Sequence, residues 1–87
     1  MALFTVSYDL VKRKDYQTLW DEFDQLGGHK CLRSMYVLDV EATASTLRDH
    51  LRQFIDDDDQ MVVIEFSKKP AHQKAFTGTN AWIDARF

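Results

Sequence analysis

The sequence predicts an α+β fold of the ferredoxin-like type, βαββαβ, with one antiparallel sheet and two helices on one face. Short segments of alternating hydrophobicity indicate strands, and two stretches with helical spacing of apolar residues lie between them. The chain has only 87 residues, so two helices between strands fit one sheet whose single face carries both helices. The handedness rule for crossover connections favours the same arrangement.

The first strand and the first helix show the strongest patterns. Residues 3–9 predict a strand, because Phe4, Val6 and Tyr8 share one face. After a polar loop, Asp15 is the expected cap of a helix. Its apolar stripe is the clearest periodic signal in the chain and comprises Tyr16, Leu19, Trp20, Phe23 and Leu26. A Gly-Gly pair at 27–28 is expected to end this helix, since glycine tolerates left-handed backbone.

The middle of the chain predicts a strand region followed by a second helix. Residues 29–39 favour one long strand, or two short strands with a bend near Arg33 and Ser34. Thr43 or Ser45 is the expected cap of the helix. Its apolar face comprises Ala44, Leu47, Leu51, Phe54 and Ile55.

Residues 56–87 begin with four consecutive aspartates at 56–59, which we interpret as a solvated turn because negative charge opposes the end of a helix dipole. Residues 60–67 alternate again and predict a strand. We expect one domain, with a core at 1–67 and a tail at 68–87 that is a candidate strand exchanged in a dimer. Within the tail, a short strand is expected at 79–84.

Composition places the chain among small soluble domains. It has 45% hydrophobic, 13% aromatic and 29% charged residues, and no apolar run approaches the length of a membrane span. A single cysteine and the absence of a secretory leader predict a cytoplasmic protein. The net charge of −3 argues against a binder that uses its whole surface for nucleic acid, so such binding requires a local basic patch. The many aromatic residues for this length predict a homodimer.

Asp9 is the leading candidate for chemistry. It ends the first predicted strand, and Lys12, Arg13 and Lys14 follow within five positions. Carboxylate oxygens suit Mg²⁺ or Mn²⁺, and the basic residues could hold a phosphate while the metal activates water. The alternative is that Asp9 caps a turn beside an ordinary solvated loop. Because one aspartate is a poor metal site, a dimer would have to supply the second.

Other polar residues have mainly structural interpretations. The acidic run at 56–59 lacks the spacing and the glycine of a calcium loop. The histidines at 29, 50 and 72 are not visibly paired with a nucleophile, although a general base among them stays open. Cys31 fits a small core residue, with a reactive thiol as the alternative. Trp82 and Phe87 cap the domain or a dimer partner, or else stack on bases.

The order of these motifs resembles the second CRISPR-associated adaptation protein and the related virulence-associated protein D toxins. The resemblance rests on Tyr8-Asp9 at the end of a strand, on residues 26–37 after a helix, and on residues 54–64 after a second helix. It covers roughly residues 1–67. Two positions depart from the family pattern: Leu32 replaces a glutamine and Val37 replaces an acidic residue. These departures suggest a diverged member.

The resemblance implies a ferredoxin-like homodimer with Asp9 of each subunit near the two-fold axis as the catalytic metal ligand. Lys30 falls where the family has arginine, and with Arg33 and residues 12–14 it is a candidate contact to RNA or DNA. Two functions follow. One is a metal-dependent endonuclease that uses Mg²⁺ or Mn²⁺. The other is a non-catalytic dimeric scaffold that binds nucleic acid or recruits a protein partner through the tail.

Overall fold

The computed structural model describes residues 2–10 and 16–87. Its four strands are β1 (Ala2–Asp9), β2 (His29–Leu32), β3 (Met35–Val40) and β4 (Gln60–Phe66). Its helices are α1 (Tyr16–Gln25), α2 (Ala44–Leu51), a 3₁₀ turn (Arg52–Phe54) and α3 (Thr79–Asp84). The predicted helix cap Asp15 and the predicted phosphate contacts Lys12, Arg13 and Lys14 lie outside the described residues.

The sheet has the strand order β2-β3-β1-β4, and every neighbouring pair is antiparallel. With helices between β1 and β2 and between β3 and β4, this is the predicted α+β, ferredoxin-like arrangement. Strand β1 lies in the centre, where Ser7 pairs with Met35 on one side and with Val62 on the other. At the end of β1, Asp9 pairs with Gln60 of β4.

One face of the sheet, the helix face, carries the main core. Alternate residues of β1 and β3 meet the apolar stripes of α1 and α2, as their spacing predicted. The fully buried side chains at the centre of this core are Phe4, Val6, Leu19, Phe23, Leu38 and Leu51. The opposite face, here called the second face, carries Thr5, Ser7 and Asp9 of β1.

Local signals define the helix boundaries. Helix α1 ends in a Schellman motif, in which Gly28 N–H donates to Phe23 O at 2.9 Å and Gly27 N–H donates to Asp24 O at 3.0 Å. Gly27 has φ of 75°, as the predicted left-handed residue requires. Thr43 caps α2 in a capping box with Thr46, which decides between the two predicted caps.

The C-terminal segment, residues 67–87, folds onto the second face. The strand predicted over 79–84 is wrong, because Thr79–Asp84 is the helix α3. Its buried residues, Thr79 and Ile83, are four positions apart, which is helical spacing. Only one such pair occurs in so short an element, so the β-forming sequence around Trp82 misled the prediction. Exchange of this segment between subunits stays a prediction.

None of the helices in the described residues is long and apolar enough to cross a membrane.

Candidate functional site

Asp9 lies exposed at the end of β1, on the second face of the sheet. Together with Ser7, Gln60 and Val62 it borders a shallow depression of about 370 Å³ between the ends of β1 and β4. Its backbone is held on the β4 side by the ladder to Gln60. The carboxylate is therefore on a rigid strand end and open to solvent, as a ligand that receives a metal ion must be.

Tyr8 fixes the elements around Asp9. Its hydroxyl accepts a hydrogen bond from Trp20 Nε1 at 2.7 Å and donates one to the backbone carbonyl of Arg33 at 3.3 Å. Its backbone N–H donates to Ser34 O at 3.1 Å. Tyr8 thus joins α1 and the β2–β3 turn to the end of β1. Burial raises the pKa of the phenol, so the hydroxyl keeps its proton for this role.

The sequence predicts Tyr8 as a member of one face of the first strand and as part of the Tyr8-Asp9 motif, with no role for its hydroxyl. The signal that could have revealed more is the presence of a hydroxyl where Phe4 and Val6 continue an apolar alternation. A buried phenol needs a hydrogen-bond partner, which predicts a neighbouring polar group.

Arg33 and Ser34 form the turn between β2 and β3, and both are exposed. The bonds from Tyr8 bring this turn to the end of the sheet where Asp9 lies. Lys30 has a different place. Its Nζ lies 3.7 Å from the centroid of the Trp20 ring, on the side of the sheet that carries α1. The structure therefore brings the turn of Arg33 to the end of the sheet that carries Asp9, and it places Lys30 on the helix side of the sheet, opposite the second face.

The acidic turn at 56–59 closes on itself. Asp56 N–H donates to Asp59 Oδ2 at 2.8 Å, and Asp59 N–H donates to Asp56 O at 3.1 Å. The carboxylates of Asp56, Asp58 and Asp59 lie within 4.8 Å of one another, and in the described part of the chain this is the one group of three metal-ligating side chains. Asp9 does not belong to it. Exposed acidic groups of this kind are common without an ion.

The second face has an open half and a covered half. On the open half, Val62 and Ile64 of β4 are 57% and 56% exposed, beside Ser7 and Asp9. The C-terminal segment covers the β2–β3 half. It is held by Phe76 N–H donating to Cys31 O at 2.9 Å and by an Arg86–Asp39 ion pair at 2.9 Å. The apolar surface that borders Asp9 is thus the part this segment leaves uncovered.

His29 belongs to the covered half. The hydroxyl of Thr79 donates its one proton to Phe76 O at 2.7 Å, so His29 Nε2 must donate to that hydroxyl at 2.9 Å. Burial lowers the pKa of His29, which favours the neutral ring. The imidazole is therefore a structural donor.

The other histidines and Cys31 also have structural partners. His50 bonds Glu22 on the helix face, and His72 bonds Asn80 within the C-terminal segment. Burial raises the pKa of the Cys31 thiol, which is the opposite of what a nucleophilic thiolate needs. The predicted structural interpretation of Cys31 fits this environment.

Comparison with known proteins gives one family match. The family model described as CRISPR associated protein Cas2 matches residues 1–74, which is most of the 87-residue chain. The match covers the whole sheet and ends inside the C-terminal segment, before α3. No solved structure matches the chain.

Proposed function

The chain belongs to the CRISPR-associated Cas2 family, and we propose that it is a dimeric, metal-dependent endonuclease that hydrolyses phosphodiester bonds of RNA or DNA. The observation that carries the proposal is the position of Asp9. It is an exposed carboxylate on a rigid strand end, at the edge of the open half of the second face.

Asp9 supplies one of the two carboxylates that the proposed metal site requires. Mg²⁺ and Mn²⁺ prefer oxygen ligands, and Mg²⁺ commonly binds one or two carboxylates together with waters and substrate phosphate. One chain offers a single carboxylate here, and Asp9 is not part of the three-carboxylate group of the acidic turn. A site shared by Asp9 of two subunits would supply the second carboxylate.

The exposed side chains of Val62 and Ile64 support the dimer. They lie on the same face as Asp9 and leave apolar surface in water on strand β4. Burying such surface against a second copy is favourable in proportion to its area. A two-fold axis beside the Asp9 ends of two such faces would bring the two carboxylates together.

In this proposal each polar group has one role. Asp9 would hold the metal, which would supply an activated water and stabilise the negative charge that develops on the phosphate oxygens. Arg33 offers a guanidinium that can hold a phosphate through two donors. Lys12, Arg13 and Lys14 stay predicted phosphate contacts. Tyr8 positions Arg33 and the end of β1 through its hydroxyl.

The second candidate function is a non-catalytic dimeric scaffold. The net charge of −3 favours it, because an acidic domain is repelled by a polyanion outside its basic patches. The two functions differ in what they require. The endonuclease needs both Asp9 and a divalent metal, whereas the scaffold tolerates the loss of either.

A cleavage assay separates the two functions. Labelled single- and double-stranded RNA and DNA are incubated with wild type and with Asp9→Asn, in Mg²⁺, in Mn²⁺ and in EDTA. We expect cleavage that EDTA abolishes and that Asp9→Asn reduces by at least about 100-fold, as loss of a direct metal ligand should. Asp58→Asn is the matched control, since it removes one exposed carboxylate from the acidic turn.

Cleavage that Asp9→Asn leaves intact would contradict the proposed site. Absence of cleavage by a folded wild-type dimer would favour the scaffold.

A further inference from the structure

Gln60 lies directly opposite Asp9 on the neighbouring strand. The antiparallel ladder of β1 and β4 pairs the Cα atoms of these two residues, and it pairs Ser7 with Val62 two residues further along. Residues directly opposite each other in such a ladder have side chains on the same face, with Cβ atoms about 4.5–5.5 Å apart. The side chain of Gln60 therefore starts beside the Asp9 carboxylate, on the second face of the sheet.

Both side chains open into the same solvent space. Asp9 and Gln60 are exposed, and both line the depression of about 370 Å³ at the ends of β1 and β4. Within residues 2–10 and 16–87, no hydrogen bond or ion pair engages either side chain. The carboxylate oxygens of Asp9 and the amide oxygen of Gln60 are thus available to a common ligand.

An amide oxygen is a donor of the kind that divalent cations accept. Mg²⁺ and Mn²⁺ prefer oxygen ligands, and cations of this class bind the side-chain carbonyl of Asn or Gln as well as carboxylates. The side chain of glutamine is one methylene longer than that of aspartate. Its oxygen can therefore approach an ion that is held by the carboxylate across the ladder.

We propose that Gln60 is a metal ligand that acts beside Asp9, an inference that rests on the metal site of the proposed function. The amide oxygen Oε1 of Gln60 and the carboxylate of Asp9 hold the ion together. Each subunit then contributes two oxygen ligands from two neighbouring strands, where the carboxylate alone would contribute one residue.

A neutral ligand suits a site that must also accept a phosphodiester. Two Asp9 carboxylates, one from each subunit, balance the charge of one divalent cation. The amide oxygens of Gln60 add ligands without adding negative charge, so the site does not repel the phosphate of a substrate. Gln60→Glu would add a negative charge in each subunit, which attracts the metal and repels the phosphate.

The test is a Mn²⁺ titration of the full-length protein without nucleic acid, in which electron paramagnetic resonance measures the free ion. Gln60→Met retains the length of the side chain and removes its oxygen. Gln60→Glu retains an oxygen at the same length. Gln25→Met is the matched control, because Gln25 is an exposed glutamine of α1, in the helix layer. Circular dichroism and light scattering verify the fold and the mass of each variant.

We expect Gln60→Met to weaken Mn²⁺ binding by at least about tenfold, as loss of a group that supports a metal site does. Gln60→Glu should tighten it by at least about threefold, because the added charge attracts the ion. Gln25→Met should leave the affinity within about twofold of wild type. In a cleavage assay at saturating Mn²⁺, Gln60→Glu should raise the KM for nucleic acid by at least about threefold.

Two results would overturn the inference and leave Asp9 as the metal ligand, provided that Asp9→Asn still loses Mn²⁺. One is an affinity in Gln60→Met within twofold of wild type. The other is equal weakening in Gln60→Met and Gln60→Glu, since that pattern indicates an amide N–H donor in place of an oxygen ligand.

Failure of the proposed function looks different. Unchanged Mn²⁺ binding in Asp9→Asn would contradict the metal site itself, and this inference with it. A protein that binds Mn²⁺ through Asp9 and Gln60 but cleaves no nucleic acid retains the inference and contradicts the endonuclease.

Discussion

Tyr8 is the residue that joins most of the candidate site. It packs within 6.0 Å of Tyr16 and 5.8 Å of Phe23, measured between ring centroids, while its hydroxyl bonds Trp20 and the carbonyl of Arg33. A phenylalanine would retain the ring contacts and lose both hydrogen bonds. The hydroxyl thus has a role separable from that of the ring.

Tyr8→Phe should lower the free energy of unfolding by about 1–2 kcal/mol, because it leaves the indole N–H of Trp20 without its acceptor. Urea unfolding followed by circular dichroism measures this difference. Tyr36→Phe is the control, since Tyr36 stacks on Phe23 at 4.3 Å and is equally buried. An equal loss in both variants would mean that the hydrogen bonds of Tyr8 contribute nothing specific.

Tyr36 should show an abnormal alkaline titration. Burial, followed by the negative charge of Asp24, raises the pKa of its phenol to about 12, against an ordinary value of 10.0. Folding therefore favours the protonated form. Its contribution to stability is complete below pH 10 and is lost as pH rises from 10 through about 12.

An absorbance titration of tyrosinate checks this directly. Wild type should show late-titrating phenols from both Tyr8 and Tyr36, and Tyr36→Phe should remove one of them. Titration of Tyr36 near pH 10 in the folded protein would contradict the buried placement of its ring.

At the scale of elements, the sequence predicted those parts that depend on local periodicity and capping. The sequence predicted the alternation of β1, the apolar stripe of α1 and the glycine end of that helix, because each is determined by neighbouring residues. It left the cap of α2 open between Thr43 and Ser45, and the structure selects Thr43. For residues 29–39 the sequence predicted either one long strand or two short strands. The structure has two short strands, β2 and β3, with a turn at Arg33 and Ser34.

Helix α3 and the packing of the C-terminal segment on the second face could not be predicted from local patterns. They depend on contacts between distant residues, such as His29 with Thr79 and Asp39 with Arg86. The candidate site was likewise predictable only in its local part. The strand-end position of Asp9 was predicted from the alternation, whereas the bonds that place Arg33 beside Tyr8 connect residues 25 or more positions apart.

Docking of α3 should weaken in acid. Burial lowers the pKa of His29 below 6.5, so the docked segment favours the neutral ring. The contribution of His29 to docking is therefore complete above pH 6.5 and declines as pH falls below it. Two other titratable groups on the elements packed together here already have partners. Asp39 of β3 pairs with Arg86, and His72 of the C-terminal segment bonds Asn80.

NMR resonances of Ile83 between pH 8 and pH 5 measure this docking. His29→Gln should flatten the pH dependence, since glutamine can donate to Thr79 without titrating. The same pH dependence in His29→Gln would exclude His29 as its origin. Stronger docking at low pH would contradict the role of His29 as a neutral donor to Thr79.

For the whole molecule, the open half of the second face should be a contact between subunits. Ile64→Lys places a charge within the exposed apolar strip of β4 and should convert a dimer into a monomer. Light scattering at micromolar concentration measures this as a halving of the mass. Arg48→Glu is a suitable control, because Arg48 is exposed on α2 in the helix layer.

A wild-type protein that is already monomeric at this concentration would contradict the dimer. A dimer that persists in Ile64→Lys would place the interface elsewhere.

The claim that two Asp9 carboxylates share one metal site is best checked by Mn²⁺ binding, followed by electron paramagnetic resonance. A site shared by two Asp9 carboxylates predicts one strongly bound Mn²⁺ per two chains, lost in Asp9→Asn and retained in Asp58→Asn. Binding of one ion per chain that Asp58→Asn abolishes and Asp9→Asn leaves intact would contradict the claim, because it would place the metal in the acidic turn.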